Sequence, residues 1–251
     1  MWSAWVKNSL LASLLFLNCA CNLRPSPKKN TARVYLASSL LPLKNYIEKL
    51  APKNLALDLQ FLSSSMIAQQ VSQGAPWDAL ILADQEWLNY LEKKLEQKFQ
   101  PKTFATNTLV LASLKPETKN INIILNNLKS KLALADPEYV PLGRYSKQAL
   151  EYLKLYKNLD SKIIFGSSAY NTRVLLERGA ASYAVLFLSD TSKTGPIYLV
   201  SNFDRDTYDE INYIFISNKN SKIICELELL LFSPELRTEL IKYNFGLPHE
   251  Y

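Results

Sequence analysis

The stretch Arg33-Val34-Tyr35-Leu36-Ala37-Ser38-Ser39-Leu40 passes from a strand into a helix through a pair of serines. Its first five residues are mostly β-branched, aromatic or aliphatic, the composition of a short strand. Beyond the serines, Leu43, Tyr46, Ile47 and Leu50 recur at helical spacing. Residues 40–50 are therefore predicted to form a helix with one apolar face, ended by Pro52. The unit then repeats. Residues 55–61 alternate apolar and polar as a half-buried strand does, Ser63-Ser64-Ser65 follows, and Ile67 and Val71 share a helix face stopped by Gly74. A third strand, 79–82, leads to a helix marked by Leu88, Leu91 and Leu95.

The pattern continues along the chain. Strands are predicted at 107–114, 131–135, 162–165, 182–188 and 213–216. Helical faces run through Leu150, Leu153 and Tyr156, through 173–177 before Gly179, and through 222–232 and 235–243 on either side of Pro234. Such alternation implies an α/β fold with mainly parallel sheets flanked by helices. Two runs of similar size imply two lobes, although no internal sequence repeat is convincing.

Ahead of this lies a different kind of segment. Lys7 precedes the apolar run 10–17, and Asn18-Cys19-Ala20-Cys21 follows. A basic start, a short apolar run and a small residue before a cysteine make the layout of a secretory signal, so residues 1–21 are read as one and the protein as exported, periplasmic or anchored on the extracytoplasmic face. The run is too short to span a bilayer as an ordinary helix. It also resembles a bacterial lipoprotein signal with Cys21 as the lipidated residue; simple cleavage and lipidation both stay open. Residues 22–31, with Pro25, Pro27 and Lys28-Lys29, read as a flexible tether. Of the three cysteines, Cys225 sits in the apolar stretch Ile223-Ile224-Cys225 and is expected in the core. A single mature thiol makes no internal disulfide.

Composition narrows the functional classes. With 48% apolar and 21% charged residues, the 251-residue chain has the make-up of a soluble protein able to bury a core. Its net charge of +6 comes from scattered lysines, not from a basic block interleaved with aromatics, which argues against nucleic acid as a partner. Catalysis finds few candidates. The one histidine, His249, is the third residue from the end, where side chains are poorly held. No His/Cys/Asp/Glu group has metal-ligand spacing, and no glycine-rich phosphate loop is present. Asp84 and Glu86 fit a helix cap and a first-turn charge.

The serines at strand ends carry the chemistry that remains. Each cluster could simply cap the helix that follows it. Two neighbouring parallel strands, however, bring both clusters and two helix starts to one sheet edge, where unpaired backbone N–H groups and the positive dipole end favour an anion. Ligands of open α/β sheets bind at this carboxyl edge.

Several motifs then appear in order. Ala37-Ser38-Ser39-Leu40, Ser63-Ser64-Ser65, Gln73-Gly74-Ala75-Pro76-Trp77-Asp78 and Ala83-Asp84-Gln85-Glu86-Trp87 come first. Asp136-Pro137-Glu138-Tyr139-Val140-Pro141-Leu142-Gly143-Arg144-Tyr145, Asn171-Thr172-Arg173 and Tyr243-Asn244-Phe245-Gly246 follow. Together they resemble the periplasmic molybdate-binding proteins of ABC importers, members of the type II periplasmic-binding-protein fold, over essentially the whole chain after the tether. The resemblance implies a monomeric, non-enzymatic protein without cofactor that closes two lobes on molybdate or tungstate and passes it to a membrane permease. It implies lobe 1 at 32–106 plus 218–251 and lobe 2 at 107–217. It implies an oxyanion held by the side chains of Ser39 and Ser64 and by backbone N–H groups at Leu142 and Thr172, the Thr172 hydroxyl being a further donor. The family also supplies a tyrosine hydroxyl at a position occupied here by Phe187. Losing a hydrogen bond to a charged group costs about 1.5–3 kcal/mol unless something replaces it. The alternatives are another oxyanion, a small carboxylate, a sensor without transport, or an enzyme on the same scaffold.

Overall fold

The computed structural model describes residues 31–191, 196–218 and 222–248. The signal segment, nearly all of the tether, Cys19, Cys21 and His249 lie outside the described residues. Among those described, ten strands are present: β1 (Thr31–Ala37), β2 (Ala56–Leu62), β3 (Ala79–Leu82), β4 (Lys102–Asn107), β5 (Leu109–Ser113), β6 (Leu132–Ala135), β7 (Ile163–Gly166), β8 (Tyr183–Phe187), β9 (Tyr198–Asn202) and β10 (Ile211–Ser217). Around them pack α1 (Lys44–Leu50), α2 (Ser64–Ser72), α3 (Gln85–Leu95), α4 (Ile121–Asn126), α5 (Pro141–Tyr152), α6 (Tyr156–Leu159), α7 (Ala169–Glu177), α8 (Lys222–Leu231) and α9 (Pro234–Lys242).

The strands form two five-stranded sheets, ordered β2-β1-β3-β10-β4 and β7-β6-β8-β5-β9. In the first, β1 is parallel to β2 and β3, and β10 runs antiparallel to both β3 and β4. In the second, β6 is parallel to β7 and β8, and β5 runs antiparallel to β8 and β9. One arrangement is thus built twice, with four strands of each sheet running one way, although the two halves share no convincing sequence repeat. The α/β, two-lobed expectation matches this architecture, each sheet being mixed, with two parallel and two antiparallel pairings.

Strand alternation assigns the core. In β1, Val34 and Leu36 enter one apolar cluster while Tyr35 enters another; in β10, Tyr213 and Phe215 join the first, and Ile214 and Ile216 the second. Successive side chains leave a strand on opposite faces, so each of these strands is covered on both sides. On one face the cover is α2 and α3, through Ile67, Ala68, Val71, Leu88 and Leu91.

Four expectations need correction. Residues 107–114 are not one strand: β4 ends at Asn107 and β5 starts at Leu109 in the other sheet. Asn107 Oδ1 takes the Thr108 N–H at 2.9 Å, so a side chain replaces the ladder at the crossing. The chain re-enters the first sheet at Ile211 and not after Ser217, because β10 pairs with β3 and β4. The helix expected at 40–50 begins as a 3-10 turn, Ser38–Leu43, with Pro42 inside it, and becomes α-helical only at Lys44. Cys225 is exposed. Its neighbours Ile224 and Leu227 hold the buried face of α8, and a residue one step from Ile224 is turned about 100° away from it.

Candidate anion-binding site

Both sheets present the carboxyl ends of their parallel strands to a small cavity between them. It is lined by Ala37, Ser38, Ser39, Ser63, Ser64 and Ala83 from the first lobe, and by Val140, Pro141, Leu142, Ala169 and Phe187 from the second. Four of the five expected site positions, Ser39, Ser64, Leu142 and Phe187, therefore meet here. No lining residue is charged.

The serine clusters divide their labour. Ser63 is the N-cap of α2, its Oγ accepting the Met66 N–H at 3.3 Å. Ser65 is tied to Ser63 through a hydroxyl contact of 2.9 Å. Ser64 caps nothing. Its Oγ accepts the Ala83 N–H at 3.0 Å, which leaves its own proton to donate elsewhere. Ser39 contacts the Tyr213 hydroxyl at 2.8 Å. Both Ser39 and Ser64 are almost fully buried.

The second lobe contributes helix starts. Helix α5 opens at Val140 with no side-chain cap and carries Pro141 in its first turn. Its first amide with an acceptor inside this turn is that of Arg144, bonded to the Val140 carbonyl at 3.1 Å. The Leu142 N–H is among the first-turn amides that an α-helix leaves without an internal partner. Gly143 seats this turn: a Cβ there would lie 2.3 Å from the Ala135 carbonyl oxygen, so only glycine lets α5 start directly on the end of β6.

Thr172 does not fit the role expected of it. Ser168 caps α7 by accepting the Asn171 N–H at 3.0 Å. The Ser168 carbonyl then accepts both the Thr172 N–H at 3.0 Å and the Thr172 hydroxyl at 2.9 Å. Both donors of Thr172 are thus engaged inside α7, and Thr172 lies one turn beyond the cavity. The α7 amides without an intrahelical acceptor belong to Ala169 and Tyr170, and Ala169 is the residue on the cavity wall. The signal that could have found this shift is Ser168 itself, a capping residue four positions before Thr172.

Outside the cavity, the lobes are clasped by charge. Asp84 is the N-cap of α3, accepting the Trp87 N–H at 3.0 Å. Its other oxygen lies 2.7 Å from the Arg144 guanidinium on α5, which also meets Glu86 at 2.6 Å. Burial pushes the Asp84 carboxyl up to about 6, against the opposing pull of Arg144. Tyr145, next in sequence, donates its hydroxyl to the Ala83 carbonyl at 3.3 Å. The cap and first-turn roles of Asp84 and Glu86 were readable from the sequence; their shared arginine, sixty residues on, was not.

Two sheets of one topology, closing on a cavity of neutral donors, define a two-lobed ligand-binding protein. The model of the family described as bacterial extracellular solute-binding protein matches residues 43–245, and the chain belongs to this family, one of binding proteins and not of enzymes. It is 30% identical over 226 residues to the molybdate-binding protein ModA of Escherichia coli, covering 84% of this chain and 87% of that one. It is 33% identical over 169 residues to ModA of Haemophilus influenzae, covering 64% of this chain and 66% of that one. Among solved structures, the periplasmic molybdate-binding protein of Azotobacter vinelandii superposes with a TM-score of 0.76 over 87% of this chain and all of its own, at 21% identity, a likeness of fold.

Proposed function

We propose that this protein captures molybdate or tungstate between its two lobes outside the cytoplasm and delivers it to the membrane permease of an ABC importer. The observation that carries this reading is the donor set: hydroxyls of Ser39 and Ser64 and a free helix-start amide at Leu142 on one cavity without a charged wall residue. Molybdate is fully deprotonated at neutral pH and only accepts hydrogen bonds, so a wall of neutral donors suits it. Dipoles and hydrogen bonds spread the charge of such a dianion without a counter-ion. Phosphate keeps a proton at this pH and needs an acceptor. The molybdate-binding relatives at 30% and 33% identity support the same ligand class. The anion is cargo and no cofactor takes part. The protein acts as a monomer, held to the membrane, where it is held at all, through a lipid on Cys21.

Phe187 favours one second reading. It lines the cavity and offers no hydroxyl, so another oxyanion or a small carboxylate could take the place of molybdate. Isothermal titration of the purified mature protein with molybdate, tungstate, sulfate and phosphate separates the two. Heat with molybdate or tungstate is the expected outcome. Heat with sulfate or phosphate alone would overturn the assignment.

A further inference from the structure

We infer that Asn107 and Tyr213 form a hydrogen-bond relay that fixes the Ser39 hydroxyl as a donor toward the cavity, and so bias the site against oxyanions that carry a proton. This rests on the oxyanion reading above and adds two specificity-determining residues to it, neither of them on the cavity wall.

The direction of the relay follows from which groups can only donate. Asn107 ends β4 where the chain crosses between sheets. Its Oδ1 accepts the Thr108 N–H at 2.9 Å and faces the Ser189 N–H at 3.4 Å. A flipped amide would set its NH2 against two N–H groups, so the oxygen and nitrogen are not interchangeable. Asn107 Nδ2 therefore faces the Ser189 hydroxyl at 2.9 Å and the Tyr213 hydroxyl at 3.3 Å. An amide NH2 donates and never accepts, so the Tyr213 oxygen is the acceptor of that bond. The one proton of Tyr213 is left for its other partner, Ser39 Oγ at 2.8 Å. Ser39 accepts it, and its own proton turns to the cavity that it lines.

The surroundings hold the relay in this state. Tyr213 is fully buried, its ring meeting Phe187 and Phe245 edge-on with centroids 6.2 and 5.5 Å away. Burial raises the pKa of its hydroxyl, which stays protonated at neutral pH. Ser64 reaches the same polarity by a separate route, since the Ala83 N–H that it accepts is also donor-only. Both serines thus have their own proton free to donate to the ligand, with one lone pair already engaged. A hydrogen phosphate must place its own proton on an acceptor, and at Ser39 the Tyr213 hydroxyl already occupies one of the two lone pairs that could serve.

The test is a double-mutant cycle of Tyr213→Phe and Ser39→Ala, titrated calorimetrically with molybdate and with phosphate at pH 7. Tyr213→Phe frees Ser39 to present either end of its hydroxyl. The expected result is that the molybdate-over-phosphate affinity ratio falls about tenfold, the loss of one charge-assisted hydrogen bond. In the Ser39→Ala background, Tyr213→Phe should change molybdate affinity by less than about twofold, because neighbours in one network are not additive. An unchanged ratio in Tyr213→Phe, or fully additive losses, would overturn the relay while leaving the oxyanion reading intact. Wild-type protein that binds phosphate as tightly as molybdate would overturn it too, and needs no variant to fold. Wild-type protein silent to every anion would instead remove the oxyanion reading on which the relay rests.

Discussion

The two lobes share one strand order but, in the proposed site, offer the ligand different chemistry. The first lobe brings side chains, Ser39 and Ser64, on the turns that follow β1 and β2. The second brings backbone, at the uncapped start of α5 and the first turn of α7. A side-chain donor depends on one residue type and on what lies behind it. A helix-start amide depends on the helix being seated correctly, which here means Gly143 against Ala135 and a capping Ser168. The same topology can therefore keep its binding groups through residue identity in one half and through backbone geometry in the other.

That contrast can be broken first where it is largest. Replacing Ser39 and Ser64 together by alanine removes both side-chain donors, and molybdate affinity in calorimetry should fall by at least about a hundredfold. Circular dichroism should show the fold retained, since neither serine is a helix cap; retained affinity would take the first lobe out of the contrast. An intermediate effect is expected at the clasp that joins the lobes. Arg144→Gln leaves Asp84 buried beside no cation. The Asp84 pKa, already raised to about 6 by burial, should rise further, since Arg144 is what holds it down. A carboxyl whose folded pKa exceeds its unfolded value of about 4 contributes stability that is present below pH 4 and lost as pH rises through the folded pKa. The variant should thus be less stable than wild type by about 2 kcal/mol at pH 7.5 and by much less at pH 5, read from thermal unfolding at the two pH values. A loss independent of pH would mean that the clasp acts by packing alone. The smallest effect sharpens the backbone half. Thr172→Val removes a hydroxyl already donated to Ser168, so molybdate affinity should change by less than about twofold. A tenfold loss would return Thr172 to the site.

The same division explains what could be read from the chain. Strand-to-helix units and their serine clusters are local patterns, so β1 to β3 and the two clusters followed from periodicity and turn chemistry, while the choice of Ser39 and Ser64 within them came from the resemblance. The second lobe's site was legible only through resemblance, because an amide donor leaves no mark on residue type. Thr172 was misplaced for that reason. Strand β4 was hidden because Lys102-Thr103-Phe104-Ala105-Thr106-Asn107 is largely polar, and only the Asn107 side chain ends its ladder before β5 begins. Cys225 was misjudged because an apolar run in a helix reaches more than the buried stripe. Tyr213 and Asn107 lie 106 residues apart, and nothing in either neighbourhood points to the other.

The clasp has one more consequence. Arg144 joins the lobes with groups that belong to the protein alone, its guanidinium on α5 and the two carboxylates at the start of α3. For the proposed anion, added salt should then shorten its dwell time by screening the exposed arm at Glu86 more than the buried one at Asp84, although the anion touches neither.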